Sequence, residues 1–134
     1  MNALIVEEMI PLLQVFDMPS SLRFYADILG CRVVMDDGQR LPDCDWVMLE
    51  LNSIRFMLNT AYERRHRPEC PDNARTVAHG DVCLYFSCHD VAGAYEYLRG
   101  QSIPVKAPVL SHYGMLQLYV PDPDGFNLCF QKRA

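Results

Sequence analysis

Short apolar runs, separated by turn residues and by helical patterns, alternate along the chain. The run 11–16 (PLLQVF) is a strand candidate, and Asp17 directly after it is a good helix N-cap. Beyond Asp17, apolar residues recur at helical spacing as far as Gly30, a residue type that commonly ends helices. The pattern therefore predicts a strand followed by a helix that ends near Gly30.

The same order of elements returns in the second half of the chain. The run 82–86 (VCLYF) precedes Asp90, a second N-cap candidate, and apolar residues at helical spacing then reach Gly100. Each predicted helix is followed by three strand patterns, at 31–35, 46–51 and 54–59 in the first half and at 103–105, 115–120 and 126–131 in the second. The sequence therefore predicts two consecutive βαβββ units.

This repeat predicts a single α+β domain over residues 1–134, made of two βαβββ modules at about 8–60 and 80–132. A polar linker at about 61–79 joins the two modules. A helix covers only one face of a small sheet, so neither module buries both of its faces alone. The two modules are therefore expected to pack together.

Alternation along the predicted strands separates an aliphatic face from a mixed one. Val47, Leu49 and Leu51 share the aliphatic face, which we expect under the helix. The mixed face suits a cavity with a few orienting polar groups, and equally suits a sheet face closed by a partner subunit. Its members are Leu12, Gln14, Trp46, Glu50, Arg55, Met57, Asn59, Cys83, Tyr85, Ser87, Gln117, Tyr119, Asn127 and Cys129.

Composition narrows the class of protein. Half of the residues are apolar and 22% are charged, as in globular chains. No apolar run approaches the roughly 20 residues of a membrane span, and the start MNALIVEEMIP lacks the basic residues of a signal peptide. The six cysteines form no CxxC pair and no zinc knuckle. Reduced thiols and a cytoplasmic location are therefore expected, without a membrane partner.

The net charge and the absence of certain motifs argue against several further classes of function. A net charge of −5 with a pI near 5.2 argues against nucleic-acid binding, which needs clustered cations. The one basic cluster, at 63–67 (ERRHR), is interpreted as a solvated connecting loop, with an anion-binding mouth as the alternative. The absence of GxSxG, phosphate-loop and HExxH motifs leaves hydrolase and nucleotide-binding functions without support.

Three segments carry a resemblance to a known family: 15–34 (VFDMPSSLRFYADILGCRVV), 88–103 (CHDVAGAYEYLRGQSI) and 113–131 (YGMLQLYVPDPDGFNLCFQ). A duplicated βαβββ chain with these motifs resembles the vicinal oxygen chelate superfamily, the glyoxalase, bleomycin-resistance and dioxygenase group. The resemblance implies that the two sheets curl into a half-open mixed β-barrel around a cavity. It also implies a homodimer.

The resemblance further implies where a metal would bind. Family enzymes take ligands from four strand positions, usually His or Gln, Glu, His and Glu. The matching positions in this chain are Ile10, Met57, Cys83 and Cys129. They provide no imidazole and no carboxylate, which Mn, Mg, Ni or Fe(II) would require. We therefore predict no metal and no other cofactor, which puts the metal-dependent activities of the family in doubt.

The first functional hypothesis is a metal-free protein of the bleomycin-resistance type. It would bind a small aromatic or amine-bearing molecule, with drug sequestration as one role. Aromatic residues offer stacking area, and Glu50 with the acidic overall balance favours a cationic ligand. No catalytic residue is assigned. The predicted ligand-binding residues are Trp46, Glu50, Arg55, Met57, Tyr85, Tyr113, Gln117, Tyr119 and Cys129.

Two alternatives stay open. The chain would be a lyase, isomerase or dioxygenase-type enzyme if Cys83 and Cys129 supplied a nucleophile or a soft-metal pair, although buried cysteines also pack inertly. In the other alternative, the protein is a structural module whose mixed face is a subunit interface. His79 and His112 are placed either at a cavity mouth, as acid or base, or as covers of their loops.

Overall fold

The computed structural model describes residues 3–134, so the first two residues of the segment considered above for a signal peptide lie outside it. Within this range no helix combines the length and apolarity needed to cross a bilayer. The elements in chain order are β1 (Leu12–Val15), α1 (Met18–Leu22) continuing as a π-helical segment (Arg23–Ile28), β2 (Arg32–Asp36), β3 (Trp46–Leu51), β4 (Ile54–Thr60), a 3₁₀ turn (Arg64–His66), α2 (Asn73–His79), β5 (Cys83–Ser87), α3 (Val91–Gly100), β6 (Val109–Leu110), β7 (Met115–Pro121) and β8 (Asn127–Arg133).

The described chain divides into two compact units, the first ending at Arg67 and the second spanning Pro68–Ala134. Each unit holds one open, four-stranded mixed sheet, with strand order β1-β4-β3-β2 in the first and β5-β8-β7-β6 in the second. In both sheets the strand before the helix pairs in parallel with the last strand of its unit. The remaining neighbours pair antiparallel. The predicted α+β fold class and the repeated topology are confirmed.

Both predicted N-caps begin their helices. The Asp17 carboxylate accepts a hydrogen bond from the Ser20 amide at 3.0 Å, and the Asp90 carboxylate accepts one from the Gly93 amide at 2.9 Å. Each cap satisfies one of the amides that a helix start leaves without an internal partner. The first helix changes to π-helical hydrogen bonding at Arg23, which the sequence pattern did not predict.

The core of each unit lies on the aliphatic face of its sheet. Helix α1 contacts β4, and α3 contacts β7 and β8. Fully burying one such side chain contributes roughly 1.5–3 kcal/mol. The buried strand residues of this face are Leu13, Val15, Val47, Leu49, Phe56 and Leu58 in the first unit, and Phe86, Leu118, Val120 and Leu128 in the second.

The structure differs from the sequence-based predictions in two segments. The predicted strand at 103–105 is wrong, and the corresponding edge strand is the short β6 at Val109–Leu110. Pro104 lacks an amide donor, and the Ile103 amide is already bonded to the Leu98 carbonyl at 3.0 Å, where it closes the end of α3. The segment predicted as a polar linker contains helix α2, capped by Asp72 through the Ala74 amide at 3.0 Å.

Candidate functional site

The strand registers of the second unit bring predicted site residues together on one face. Cys129 on β8 lies between Tyr85 on β5 and Tyr119 on β7. In the next row of the same face, Gln131 pairs with Gln117. Because side chains alternate along a strand, these five residues all belong to the mixed face.

The side chain of Gln117 organises this face. Its Nε2 donates hydrogen bonds to the Tyr113 hydroxyl at 2.8 Å and to Oε1 of Gln131 at 2.9 Å, and its Oε1 accepts one from the Tyr119 hydroxyl at 3.2 Å. Gln117 is only 4% exposed, and both of its amide protons are used. The amide therefore fixes the positions of two tyrosine hydroxyls. Gln131 was not among the predicted ligand-binding residues, although its position opposite Gln117 in the hairpin could have identified it as a residue of this site.

Three tyrosine rings stay open above this amide. Tyr85 is 54% exposed, Tyr113 is 56% exposed and Tyr119 is 40% exposed. The pKa of Tyr119 is raised well above its usual value of 10, mainly by a hydrogen bond with Tyr85 and secondly by burial. Its hydroxyl therefore stays protonated. We call these three tyrosines together with Gln117 the tyrosine face. It offers aromatic surface with fixed hydroxyl groups.

The two cysteines of this face are poorly suited to nucleophilic chemistry. Cys129 is fully buried, and Cys83 is half-buried. Burial raises the pKa of both thiols, and for Cys129 the neighbouring Cys83 raises it further. Hydrogen bonds between Cys83 and Tyr85 and between Cys129 and Tyr119 lower the two pKa values but do not outweigh burial. The thiol form is therefore favoured, whereas the thiolate is the reactive form.

The four positions that match the metal ligands of the family do not form a chelating set. Ile10 precedes β1, and Met57 lies in β4 opposite Leu12. Cys83 begins β5 and Cys129 lies within β8, on the same face. Within residues 3–134, no three His, Cys, Asp or Glu side chains come together as a metal-binding group. One thioether and two protonated thiols do not fit the oxygen- and nitrogen-bound metals of the family.

In the first unit, the mixed face carries an ion triad. Glu50 accepts hydrogen bonds from Arg32 at 2.6 Å and from Arg55 at 2.9 Å, and these two bonds lower the pKa of its carboxyl group. Both carboxylate oxygens are therefore engaged, and the triad carries one net positive charge. Half-buried Trp46 lies on the same face, opposite Asn59.

The basic cluster at 63–67 contributes to the structure of the first unit. Arg67 donates to the Asp17 carboxylate at 3.0 Å and lies 5.0 Å above the ring of Phe16. Arg64 donates to the Asp43 carbonyl at 2.8 Å. These contacts favour the connecting-loop interpretation over the anion-binding mouth.

The two histidines considered as acids or bases both contact aromatic rings. His79 stacks on Phe126 at 3.9 Å between ring centroids, and its Nδ1 lies 2.7 Å from the Asp124 carbonyl oxygen. His112 lies edge-on to Tyr113 at 5.0 Å. The arrangement of His79 supports the loop-covering alternative, because the ring ties α2 to the turn between β7 and β8.

Several solved structures share this fold. A bleomycin-binding protein complexed with bleomycin is 19% identical, with a TM-score of 0.67 and coverage of 96% of this chain and 100% of that chain. Lactoylglutathione lyase from Agrobacterium tumefaciens is 18% identical, with a TM-score of 0.64 and coverage of 93% and 92%. TioX from Micromonospora sp. ML1 is 13% identical, with a TM-score of 0.72 and coverage of 96% and 100%. At these identities the likeness establishes the fold alone.

No curated protein sequence matches the chain. The family model for the Glyoxalase/Bleomycin resistance protein/Dioxygenase superfamily matches residues 8–130. This range includes both four-stranded sheets almost completely, together with helices α1, α2 and α3. The chain therefore belongs to the glyoxalase, bleomycin resistance protein and dioxygenase superfamily.

Proposed function

We propose that this protein binds a small aromatic molecule against its mixed sheet faces and sequesters it without a catalytic metal. The observation that carries the proposal is the tyrosine face, on which buried Gln117 holds the hydroxyls of Tyr113 and Tyr119 while the rings stay open. The likeness of the fold to a bleomycin-binding protein supports the binding of a small molecule. The proposed ligand-binding residues remain Trp46, Glu50, Arg55, Met57, Tyr85, Tyr113, Gln117, Tyr119 and Cys129.

The geometry favours an aromatic ligand over an amine. Glu50 was the residue expected to attract a cation, but its carboxylate is bonded to Arg32 and Arg55. An incoming ammonium group would have to displace a guanidinium from a charge-assisted hydrogen bond. The open tyrosine rings need no such exchange, and stacking on an aromatic ring contributes about 0.5–1.5 kcal/mol beyond the buried area.

The lack of a suitable donor set supports the metal-free part of the proposal. A catalytic metal of this family needs imidazole and carboxylate ligands, and the matching positions carry isoleucine, methionine and two cysteines. The raised thiol pKa values of Cys83 and Cys129 also weigh against the enzymatic alternative, in which one of them attacks a substrate. A cytoplasmic homodimer is part of the same proposal.

The test is a ligand screen with a matched pair of variants. Neutral aromatic compounds, such as 2-naphthamide, are titrated into the full chain and followed by NMR chemical shifts. Tyr119→Leu removes a ring from the tyrosine face and should weaken binding about two- to tenfold. Tyr97→Leu removes a similarly exposed ring from α3 and should leave binding unchanged. Equal losses in both variants would contradict the proposed site.

Metal analysis and an assembly measurement complete the test. Untagged protein prepared without chelators is offered Mn, Fe(II), Ni, Zn and Cu(I), and bound metal is counted by mass spectrometry. One tightly bound metal per chain that is lost in Cys83→Ser or Cys129→Ser would replace the proposal with a soft-metal enzyme. Trp46→Ala should weaken ligand binding while the oligomeric state stays unchanged. Loss of the dimer instead would identify the mixed face as a subunit interface.

A further inference from the structure

An open hollow of about 450 Å³ lies in the second unit, at the carboxyl ends of the parallel strands β5 and β8. Its lining includes His89 from the segment after β5, Met115 at the start of β7, and Gln131, Lys132 and Arg133 from the end of β8. The hollow is large enough for a small substituent, and one element of the tyrosine face, β7, begins at its wall.

The charges at this hollow have one sign. Lys132 and Arg133 carry positive charge, and no carboxylate lines the hollow. Because side chains alternate along β8, Arg133 lies on the mixed face with Gln131, whereas Lys132 lies on the opposite face. Among the described residues, neither Lys132 nor Arg133 belongs to an ion pair. In a chain with a net charge of −5, the unpaired guanidinium of Arg133 on the mixed face attracts an anionic group.

Among the described residues, the neighbouring acid forms no ion pair with Arg133. Asp90 follows His89 in the sequence, but its carboxylate accepts a hydrogen bond from the Gly93 amide at 2.9 Å and caps α3. Guanidinium and ammonium groups form their strongest hydrogen bonds with carboxylate, phosphate or sulfonate oxygens. The hollow is therefore suited to an anionic substituent rather than to an amine.

The hollow adjoins the tyrosine face through one side chain. Gln131 lines the hollow, and its Oε1 accepts a hydrogen bond from Nε2 of Gln117 at 2.9 Å. Met115, which pairs with Arg133, lies two residues before Gln117 on the same face of β7. A planar molecule lying on the tyrosine face can therefore extend its substituent toward Arg133.

We propose that the ligand is an aromatic compound with an anionic substituent, its ring on the tyrosine face and its anionic group held by Arg133. This inference rests on the proposed function and specifies its ligand class. Only the anionic chemistry is assigned, and a carboxylate or a phosphate satisfies it equally.

The experiment compares four probes of one shape: 2-naphthoate, 2-naphthyl phosphate, neutral 2-naphthamide and cationic 2-naphthylmethylamine. Each is titrated into the full chain at low and at ~0.15 M salt and followed by NMR. We expect 2-naphthoate, 2-naphthyl phosphate or both to bind about three- to tenfold more tightly than 2-naphthamide at low salt, and the amine to bind most weakly. Comparing the two anionic probes distinguishes a carboxylate ligand from a phosphate ligand.

A pair of single variants with equal changes of net charge locates the anion. Arg133→Gln should abolish the preference for the anionic probes. Lys132→Gln removes one cation from the opposite face of β8 and should preserve the preference.

The outcomes separate this inference from the proposed function. If 2-naphthamide binds as tightly as the anionic probes, the anionic inference is wrong and the proposed function stands. If the preference survives in Arg133→Gln, the hollow is not the anion site. If the anionic probes bind but Tyr119→Leu does not weaken their binding, the anion site at the hollow is supported and the binding of the ring on the tyrosine face is refuted. If no probe binds, both are rejected.

Discussion

Gly125, in the turn between β7 and β8, allows a quantitative test of how the second unit holds together. Its φ is +89°, in the left-handed region that favours glycine, and a Cβ at this position would lie 2.5 Å from the carbonyl oxygen of Thr76 in α2. Gly125→Ala therefore introduces two separate penalties. One is conformational, and the other is an overlap with the backbone of a neighbouring helix.

The size of each penalty follows from the structure. The left-handed conformation costs a residue with a Cβ roughly 1–2 kcal/mol. The overlap is relieved when α2 moves away, so its cost is limited to the contacts that α2 then loses. These are the stack of His79 on Phe126, worth about 0.5–1.5 kcal/mol, and the hydrogen bond to the Asp124 carbonyl, worth a similar amount. The free energy of unfolding should therefore fall by about 2–5 kcal/mol in total.

Gly114→Ala is the matched control. Gly114 has a φ of +88°, but a Cβ there would have no heavy atom within 4 Å, so only the conformational penalty applies. Urea denaturation of both variants should show Gly125→Ala to be about 1–3 kcal/mol less stable than Gly114→Ala. Hydrogen exchange should show that the amides of α2 lose protection only in Gly125→Ala. Equal destabilisation of the two variants would refute the docking of α2 on this turn.

Three further predictions concern single side chains. Burial alone would raise the pKa of Asp17, but hydrogen bonds from Ser20 and Arg67 lower it overall, so its contribution to stability is present above pH 3.8 and is lost as the pH falls. Asp17→Asn, which keeps a capping side chain, should flatten the acid part of a stability-against-pH curve, and an unchanged slope would contradict this. With a thiol reagent, exposed Cys70 should react at once and buried Cys129 only on unfolding, which peptide mapping would show. Gln117→Leu should lower the unfolding free energy by about 1–3 kcal/mol in urea denaturation, and no change would mean that its hydrogen bonds contribute nothing.

Local patterns predicted the fold well because its main determinants are local. The aspartate caps at 17 and 90 bond to amides three residues away, and the alternation within each strand decides which residues are buried. The prediction of a strand at 103–105 failed for a local reason as well, because a proline within this short apolar run has no amide proton to donate to a neighbouring strand. The spacing of apolar residues alone does not reveal that this donor is missing.

The candidate site was harder to predict because its chemistry depends on distant pairs. Glu50 looked like a free carboxylate, yet Arg32, 18 residues earlier, and Arg55 both bond to it. Gln117 and Gln131 are 14 residues apart and meet only through the hairpin register. Alternation places each of these residues on the correct face, but it does not show which polar groups satisfy one another. That pairing decides the charge that a ligand would meet.

The matching rows of the two copies of the repeat have diverged in their chemistry. The row Leu12, Met57 and Met48 in the first sheet corresponds to Tyr85, Cys129 and Tyr119 in the second, since in each row the last strand of the unit stands in the middle. The row of the first sheet is apolar, whereas the row of the second carries two hydroxyl groups and a thiol, so neither row offers the imidazole and carboxylate donors that a catalytic metal of the family needs. The thiol of Cys129 is fully buried between two tyrosines, which is the environment of a packing residue rather than of a metal ligand.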